Sequence, residues 1–327
     1  MRLLTVVPAN TTIDFVGKRK IAFGLSIILI LVSVGAFLTQ GLNLGIDFRG
    51  GVLIEVETEG PANIQDLRQT LSTLGLGEVQ VQEFGAPNDV LIRVQQQDGG
   101  EDAQQKAITA IKAALGDIVN EYRRTESVGP TIGAELVKAA ILAVSLALGA
   151  ILIYIWFRFE WQFGVGAVIA LSHDVISTVG LFAITQLEFN LATVAAVLTI
   201  AGYSINDTVV IYDRVREELR RYKKLAIADL LNLAANRTLS RTFLTSVTTL
   251  IALLALVILG GPIIRDFSLA MIWGVLIGTY SSIFVAVPAL LLLKLNRSSF
   301  SSGDETEEGG SAEANEVAAE AQDGQDD

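Results

Sequence analysis

The sequence has no cysteine and only one histidine, and these absences exclude several kinds of chemistry. Without cysteine the chain forms no disulfide bond and offers no thiolate to a metal ion. A single histidine with few clustered acids also disfavours a zinc site built from side chains. The composition therefore predicts neither a metal centre nor a bound cofactor.

Basic residues are missing from the last part of the chain, where residues 303–327 hold ten acidic residues. Nearly all of the net charge of −11 therefore belongs to this segment. The composition predicts an acidic, disordered and solvated tail over 294–327. The tail can serve solubility or docking, and the sequence does not decide between these two roles.

Polar residues are fewer than in a typical soluble domain of this size, because 51% of the 327 residues are hydrophobic. Apolar runs of about 18 or more residues are long enough to cross a bilayer as helices. Six such runs predict six transmembrane helices, over residues 21–39, 134–157, 163–185, 191–212, 242–260 and 267–293.

Basic residues border the predicted spans on one side of the membrane. They are Lys18, Arg19, Lys20, Arg158, Arg214, Arg216, Arg220, Arg221, Lys223, Lys224, Lys294 and Arg297. Short cytoplasmic loops carry most lysine and arginine. The sequence therefore predicts a cytoplasmic location for the N-terminal residues 1–20, for the C-terminus and for the connection 213–241. That connection is amphipathic and is predicted to lie along the membrane surface. No cleavage site follows the first span, which is therefore expected to stay as an anchor.

Residues 40–133 are polar and are predicted to fold on the outer side, between the first two spans. Alternating segments predict strands at 51–59, 78–84, 89–95 and 118–128, and helical periodicity marks 63–75 and 101–116. The order βαββαβ favours a ferredoxin-like sandwich. The predicted fold class is thus a polytopic α-helical membrane protein with a small βαββαβ periplasmic domain between helices 1 and 2.

A carboxylate inside the fourth span is the first sign of function. Asp207 precedes Asp213, at the predicted end of that span, by six residues, which is roughly 9 Å along a helix. An ionised carboxylate in hydrocarbon costs roughly 2.5–3.5 kcal/mol. Tyr203 shares a helical face with Asp207, Asn206 precedes it, and Gly202 permits a close neighbour. We therefore expect Asn206 and Tyr203 to orient Asp207 by hydrogen bonds.

Arg241, at the start of the fifth span, is the expected cationic partner of Asp207. Threonines recur after it at helical spacing, which gives this span a polar stripe for a neighbouring helix. A different explanation is that Arg241 only extends to the membrane interface.

The third span carries His173 and Asp174 near its middle. Ionisable groups at this depth often line ion or proton paths, although a buried histidine also serves structural roles. Asp, His and Arg on neighbouring spans are the parts of a proton relay. Protonation of a buried carboxylate cancels its attraction to arginine and so changes the favoured helix packing.

Four motifs resemble those of the SecD/SecF family of bacterial protein-export membrane proteins. They are LNLGIDFRGG (42–51), VGPTIGAEL (128–136), FEWQFGVGAVIALSHDV (159–175) and GYSINDTVVIYDR (202–214). The similarity runs from residue 10 to 297, so only the acidic tail falls outside it. The motif glycines are Gly45, Gly50, Gly51 and Gly202, of which the first three would permit tight turns where the chain leaves the membrane.

The resemblance implies one half of a twelve-span bundle of the resistance-nodulation-division type, completed by a SecD-like six-span homologue. It implies that the pair uses the proton-motive force to help unfolded polypeptides leave the Sec translocon channel at the bacterial inner membrane. The family's ion-transfer Asp and Arg fall here on Asp207 and Arg241. Neither an enzymatic activity nor a nucleic-acid partner is implied, and H⁺ and Na⁺ both remain open as the coupling ion.

Three other functions are alternatives to ion-coupled export. A small-molecule exporter of the same superfamily would need a larger external domain and usually twelve spans in one chain. A passive assembly scaffold would not need charged groups in its spans. An intramembrane hydrolase is disfavoured, because Ser172 lies beside His173 on the helix, no nucleophile motif surrounds Ser204, and no second aspartate stands in the required glycine context.

Overall fold

The computed structural model describes residues 11–295, and almost all of the predicted acidic tail lies outside that range, as do residues 1–10 and Arg297. In chain order, the first membrane helix is α1 (Arg19–Gln40). The small domain follows with α2 (Ile46–Arg49), β1 (Gly51–Thr58), α3 (Ile64–Ser72), β2 (Val79–Phe84), β3 (Ala86–Val94), α4 (Gly100–Leu115) and β4 (Val119–Val128). The remaining membrane helices are α5 (Pro130–Arg158), α6 (Trp161–Thr185), α7 (Leu191–Arg221), α8 (Ile227–Leu259), α9 (Gly261–Ser281) and α10 (Val287–Leu292). A π-helical turn, Ser282–Ala286, joins α9 to α10, so the two form one bent rod.

Six helices are long and apolar enough to cross a membrane, which confirms the predicted number of spans. They are α1, α5, α6, α7, α8 and the rod of α9 and α10. Helix α6 lies at the centre, and its small residues let neighbours approach closely: Gly180 meets Ser33 of α1 and Gly166 meets Tyr212 of α7. Helix α5 is the outermost, with Leu146, Ile153 and Phe157 exposed to the surroundings.

The ends of α6 and α7 are fixed by local chemistry. Gln186 adopts a left-handed conformation (φ 54°) and ends α6. Asn190 begins α7 with a capping box, because its Oδ1 accepts from the Thr193 N–H at 3.0 Å while the Thr193 hydroxyl accepts from the Asn190 N–H. The tight connection fixes the angle at which α7 enters the bundle.

The predicted separate surface segment over 213–241 is wrong. Helix α7 continues to Arg221 and α8 begins at Ile227, so the segment divides between two long helices. The physical reason is a buried carboxylate: Glu218 is fully buried and accepts from Arg214 at 2.7 Å and from Arg237. The apolar face of this region, including Leu219 and Leu230, packs in the buried core of the helix bundle.

The small domain confirms the predicted βαββαβ order. Its sheet has the order β2-β3-β1-β4 with all neighbours antiparallel, and Ile54 of β1 lies opposite Ile92 of β3. Helices α3 and α4 cover one face and bury a continuous apolar core with Leu71 and Ile111. Asn63 caps α3, because its Oδ1 accepts from the N–H groups of the first turn.

The turn into β1 depends on glycine. Gly50 and Gly51 have φ of +71° and +115°, and a Cβ on Gly51 would collide with the Val94 carbonyl, whereas Gly45 has an ordinary negative φ. We predict that Gly51→Ala lowers the opening free energy of the β1–β3 amides by about 1–3 kcal/mol, through backbone strain. Hydrogen exchange of the whole chain measures this. Gly60→Ala, at an exposed position with no atom near its Cβ, is the matched control. Equal protection in both variants would contradict the prediction.

Candidate functional site

Asp207 lies on the face of α7 that meets α8. It is only 4% exposed, and its Oδ2 has no hydrogen-bond partner among the described residues. The hydroxyls of Tyr203 on α7 and Thr242 on α8 are also buried without a hydrogen-bond partner among the described residues. Buried polar atoms are nearly always partnered in folded proteins. This contact is therefore suited to water, an ion or a group from another chain.

Arg241 lies at the exposed end of the same contact. It lines an open cavity of about 550 Å³ between α7 and α8, whose wall is formed by Val210, Asp213, Arg214, Glu217, Arg237, Thr238 and Arg241. No ion pair shorter than 4 Å joins Arg241 to Asp207 in the part of the chain that the structure describes. The two groups are thus on facing helices without a fixed clasp, and a small movement of either helix changes their attraction.

The hydrogen bonds expected to orient Asp207 do not occur in the part of the chain that the structure describes. Asn206 is exposed, since adjacent residues lie about 100° apart around a helix, and it points away from the face of Asp207. Tyr203 shares that face, but no hydrogen bond from its hydroxyl to Asp207 occurs within residues 11–295. Asn206 instead continues an exposed stripe with Ala195, Thr199 and Gly202.

A second set of polar side chains is fully buried at the centre of the bundle. Asp174 of α6 is fully buried and its Oδ1 lies 2.9 Å from Nδ1 of His173, which is 2% exposed. Its Oδ2 accepts from Ser204 of α7 at 2.5 Å and from Ser281 of α9 at 2.7 Å. We call these four residues the Asp174 cluster. It ties three membrane helices to one carboxylate.

The π-helical turn begins directly after the Asp174 cluster. Ser282, its first residue, exchanges a hydroxyl hydrogen bond of 2.9 Å with Thr208 of α7. Pro288 has no N–H to continue a regular helical ladder, and the Tyr212 hydroxyl donates to the Ala286 carbonyl at 3.1 Å. Such turns occur frequently at functional sites.

The small domain is joined to the entrance of α7 by a third set of contacts, which we call the junction. Arg93 of β3 pairs with Glu188 at 2.5 Å, and the Phe189 N–H donates to the Asn43 carbonyl at 2.8 Å. Asp47 accepts from the Leu191 N–H at 2.9 Å and so stabilises the first turn of α7. The junction connects the domain directly to the helix that carries Asp207.

Six apolar helices, a small α/β domain between the first two, and polar groups inside the spans together define a polytopic membrane protein with a buried polar site. The family model described as "Protein export membrane protein SecD/SecF, C-terminal" matches residues 106–296, and the "SecD/SecF GG Motif" matches residues 35–62. The chain belongs to the SecD/SecF family and is a multi-pass inner-membrane subunit of protein translocase.

Curated relatives match nearly the whole chain. Protein translocase subunit SecF of Rickettsia bellii is 48% identical over 88% of this chain and 96% of its own length. The SecF subunit of Magnetococcus marinus is 52% identical over 86% of this chain and 92% of its own. A crystal structure of SecDF from Thermus thermophilus, named there as a translocon-associated membrane protein, has a TM-score of 0.80 and 35% identity over 90% of this chain. This chain covers 40% of that SecDF chain.

Proposed function

We propose that this chain, paired with a SecD-type six-span partner, couples ion flow down the proton-motive force to polypeptide export through the Sec translocon. The observation that carries the proposal is Asp207, a carboxylate buried in a membrane helix beside the cavity that contains Arg241, and the Oδ2 of Asp207 has no hydrogen-bond partner among the described residues. Such groups in membrane helices usually serve ion or proton transfer. One elementary charge crossing the membrane supplies about 2.3 kcal/mol per 100 mV.

The α7–α8 contact supplies a two-state element for this coupling. When Asp207 is ionised, the Arg241 guanidinium attracts it and draws the two helices together at this end. When Asp207 has bound a proton, that attraction is lost and the contact loosens. The hydroxyls of Tyr203 and Thr242 provide polar groups along which water or an ion reaches the carboxylate. Either H⁺ or Na⁺ fits this description.

The partner is proposed to lie against the exposed stripe of α7. The stripe presents small and polar residues, and no described atom lies within 4 Å of a Cβ placed on Gly202. Small residues let two membrane helices approach closely, and an asparagine in an apolar span seeks a hydrogen-bond partner. The SecDF chain, of which this chain matches 40%, contains further sequence that such a partner would correspond to.

A cysteine cross-link tests the partner, since the chain itself has no cysteine. Asn206→Cys should form a disulfide with single cysteines in the SecD-type partner, in the assembled complex in native membranes. Ile28→Cys is the matched control, because Ile28 is 60% exposed but lies on α1, away from the stripe. Equal cross-linking of both positions, or none from position 206, would contradict the proposed interface.

The small domain is proposed to lie in the periplasm and to contact the emerging polypeptide. Its outer strands β2 and β4 have edges that pair with no further strand of the described domain, and extended chains add to such edges. The junction then transmits the load from the polypeptide to α7. A cysteine at Asn88 reports the side of the membrane: labelling by an impermeant thiol reagent only from the cytoplasm would contradict this orientation.

A further inference from the structure

The Asp174 cluster is not needed for the exchange between Asp207 and Arg241, and its geometry raises its own question. It is built entirely within this chain, from α6, α7 and α9, and all its side chains are at least 98% buried. A fully buried carboxylate is costly in a membrane unless its charge is compensated. The cluster must therefore contain its own compensation.

The hydrogen bonds define where protons lie. The hydroxyls of Ser204 and Ser281 both donate to Oδ2 of Asp174, so the same carboxylate oxygen accepts both hydrogen bonds. The other oxygen, Oδ1, faces Nδ1 of His173 at 2.9 Å. The two hydroxyls favour the ionised carboxylate, and when Asp174 is ionised the proton between the two residues lies on Nδ1 of His173.

The second ring nitrogen of His173 is then the variable atom. Its Nε2 is buried and has no hydrogen-bond partner among the described residues. Without a proton on Nε2 the histidine is neutral and the cluster has a net negative charge. With a proton there, the imidazolium and the carboxylate form an ion pair with no net charge, which suits a low-dielectric site better.

We propose that the Asp174 cluster is a second proton-binding site, which takes up its proton at Nε2 of His173 and holds the resulting cation against Asp174. Asp174 is a positioning residue for this proton, and Ser204 and Ser281 keep it ionised. The inference deepens the proposed function, on which its role in transport rests, but the binding of the proton itself does not depend on Asp207.

Occupancy of this site acts on the helices that matter for transport. Ser204 lies one turn from Asp207 on α7, and Ser281 directly precedes the π-helical turn. When His173 takes up a proton, its imidazolium competes with the two serine hydroxyls for the negative charge of Asp174. Each hydrogen bond from a hydroxyl is then weaker. The ties from α6 to α7 and α9 therefore weaken when the site is loaded and strengthen when it is empty.

The surroundings contain few other groups that titrate. Helix α6 has none apart from His173 and Asp174, and the part of α1 packed on it has uncharged serines. Helix α9 contributes Tyr280, whose ring centroid is 6.0 Å from that of His173 and whose hydroxyl donates to the Ala22 carbonyl. Helix α7 contributes Tyr203 and Asp207, on the turns beside Ser204.

The single histidine makes the site directly observable. The full chain is labelled with ¹⁵N-histidine, purified with a tag that contains no histidine, and assembled with unlabelled SecD-type partner in lipid nanodiscs. Nitrogen NMR then follows Nδ1 and Nε2 between about pH 5 and pH 9, the range in which histidine charge changes. We expect Nε2 to change from a bare to a protonated nitrogen in one step, while Nδ1 stays protonated throughout.

Two variants separate this site from the proposed function. Asp174→Asn should lose the step within this range, because the cation loses the carboxylate that holds it, whereas Asp207→Asn should keep it. If the Nε2 step persists and the Asp207→Asn complex exports normally, the proton site is supported and the transport proposal is refuted. An Nε2 signal that stays unchanged across the whole range in the unmodified chain would overturn the inference, whatever the variants do.

Discussion

Replacement of Asp207 by asparagine should reduce potential-driven polypeptide export a few hundred-fold while the complex still assembles. Asparagine has the shape of the protonated acid but binds no proton, so the site stays in one state. Loss of one coupled proton at roughly 150 mV removes about 3.5 kcal/mol of driving free energy, and the same amount added to the barrier of the coupled step corresponds to that factor. Export into inverted membrane vesicles, with and without an imposed potential, measures the effect.

The matched control for this variant is Asp229→Asn, in the first turn of α8. Asp229 is exposed and lies outside the wall of the cavity that contains Arg241, and exposed charges of this kind contribute little. We expect export within about twofold of normal for that variant. A passive scaffold, or a static clasp between α7 and α8, makes a different prediction: Asp207→Asn would impair assembly or do nothing. Normal export from a fully assembled Asp207→Asn complex would refute the relay.

The second large effect is expected at the junction. Arg93 and Glu188 are 11% and 15% exposed, and breaking a buried pair of this kind costs about 3–5 kcal/mol, less here because some water reaches it. Arg93→Glu places two carboxylates together and should release the small domain from α7. Hydrogen exchange at the Phe189 and Gly45 amides, which bond across the junction, should accelerate about 100-fold, and potential-driven export should fall about tenfold.

Charge reversal on both sides tests whether the pair itself is responsible. Glu188→Arg added to Arg93→Glu should restore both amide protection and export, because the attraction is rebuilt with opposite signs. Arg124→Glu is the control, since Arg124 pairs with Glu126 within the same domain but away from the junction. Slow amide exchange in the single Arg93→Glu variant would contradict a coupling role for the junction.

Local patterns in the sequence predicted most of the fold. Apolar runs of sufficient length predicted the six spans, and alternation together with helical periodicity predicted the βαββαβ domain. The segment 213–241 shows the limit of such patterns. Its amphipathic period predicts that one face is buried, but the period does not say whether lipid or the rest of the bundle covers that face.

The candidate site was predictable only in part, because its contacts join residues distant in sequence. Asp174 and His173 are recognisable as ionisable groups in a span, but Ser204 and Ser281, which donate to Asp174, lie 30 and 107 residues later. Serines are common in membrane helices and carry no signal of their own. The only local sign that the rod of α9 and α10 is irregular is the pair of serines at 281–282, followed six residues later by Pro288.

The most direct test of the central claim is proton flux through the purified complex. The chain and its SecD-type partner are reconstituted into vesicles that contain a pH-sensitive dye, and a proton gradient with a membrane potential is imposed. The complex should acidify the vesicle interior faster than protein-free vesicles, and Asp207→Asn should return the rate to that background while Asp229→Asn does not. Equal flux through the unmodified and Asp207→Asn complexes would contradict the account.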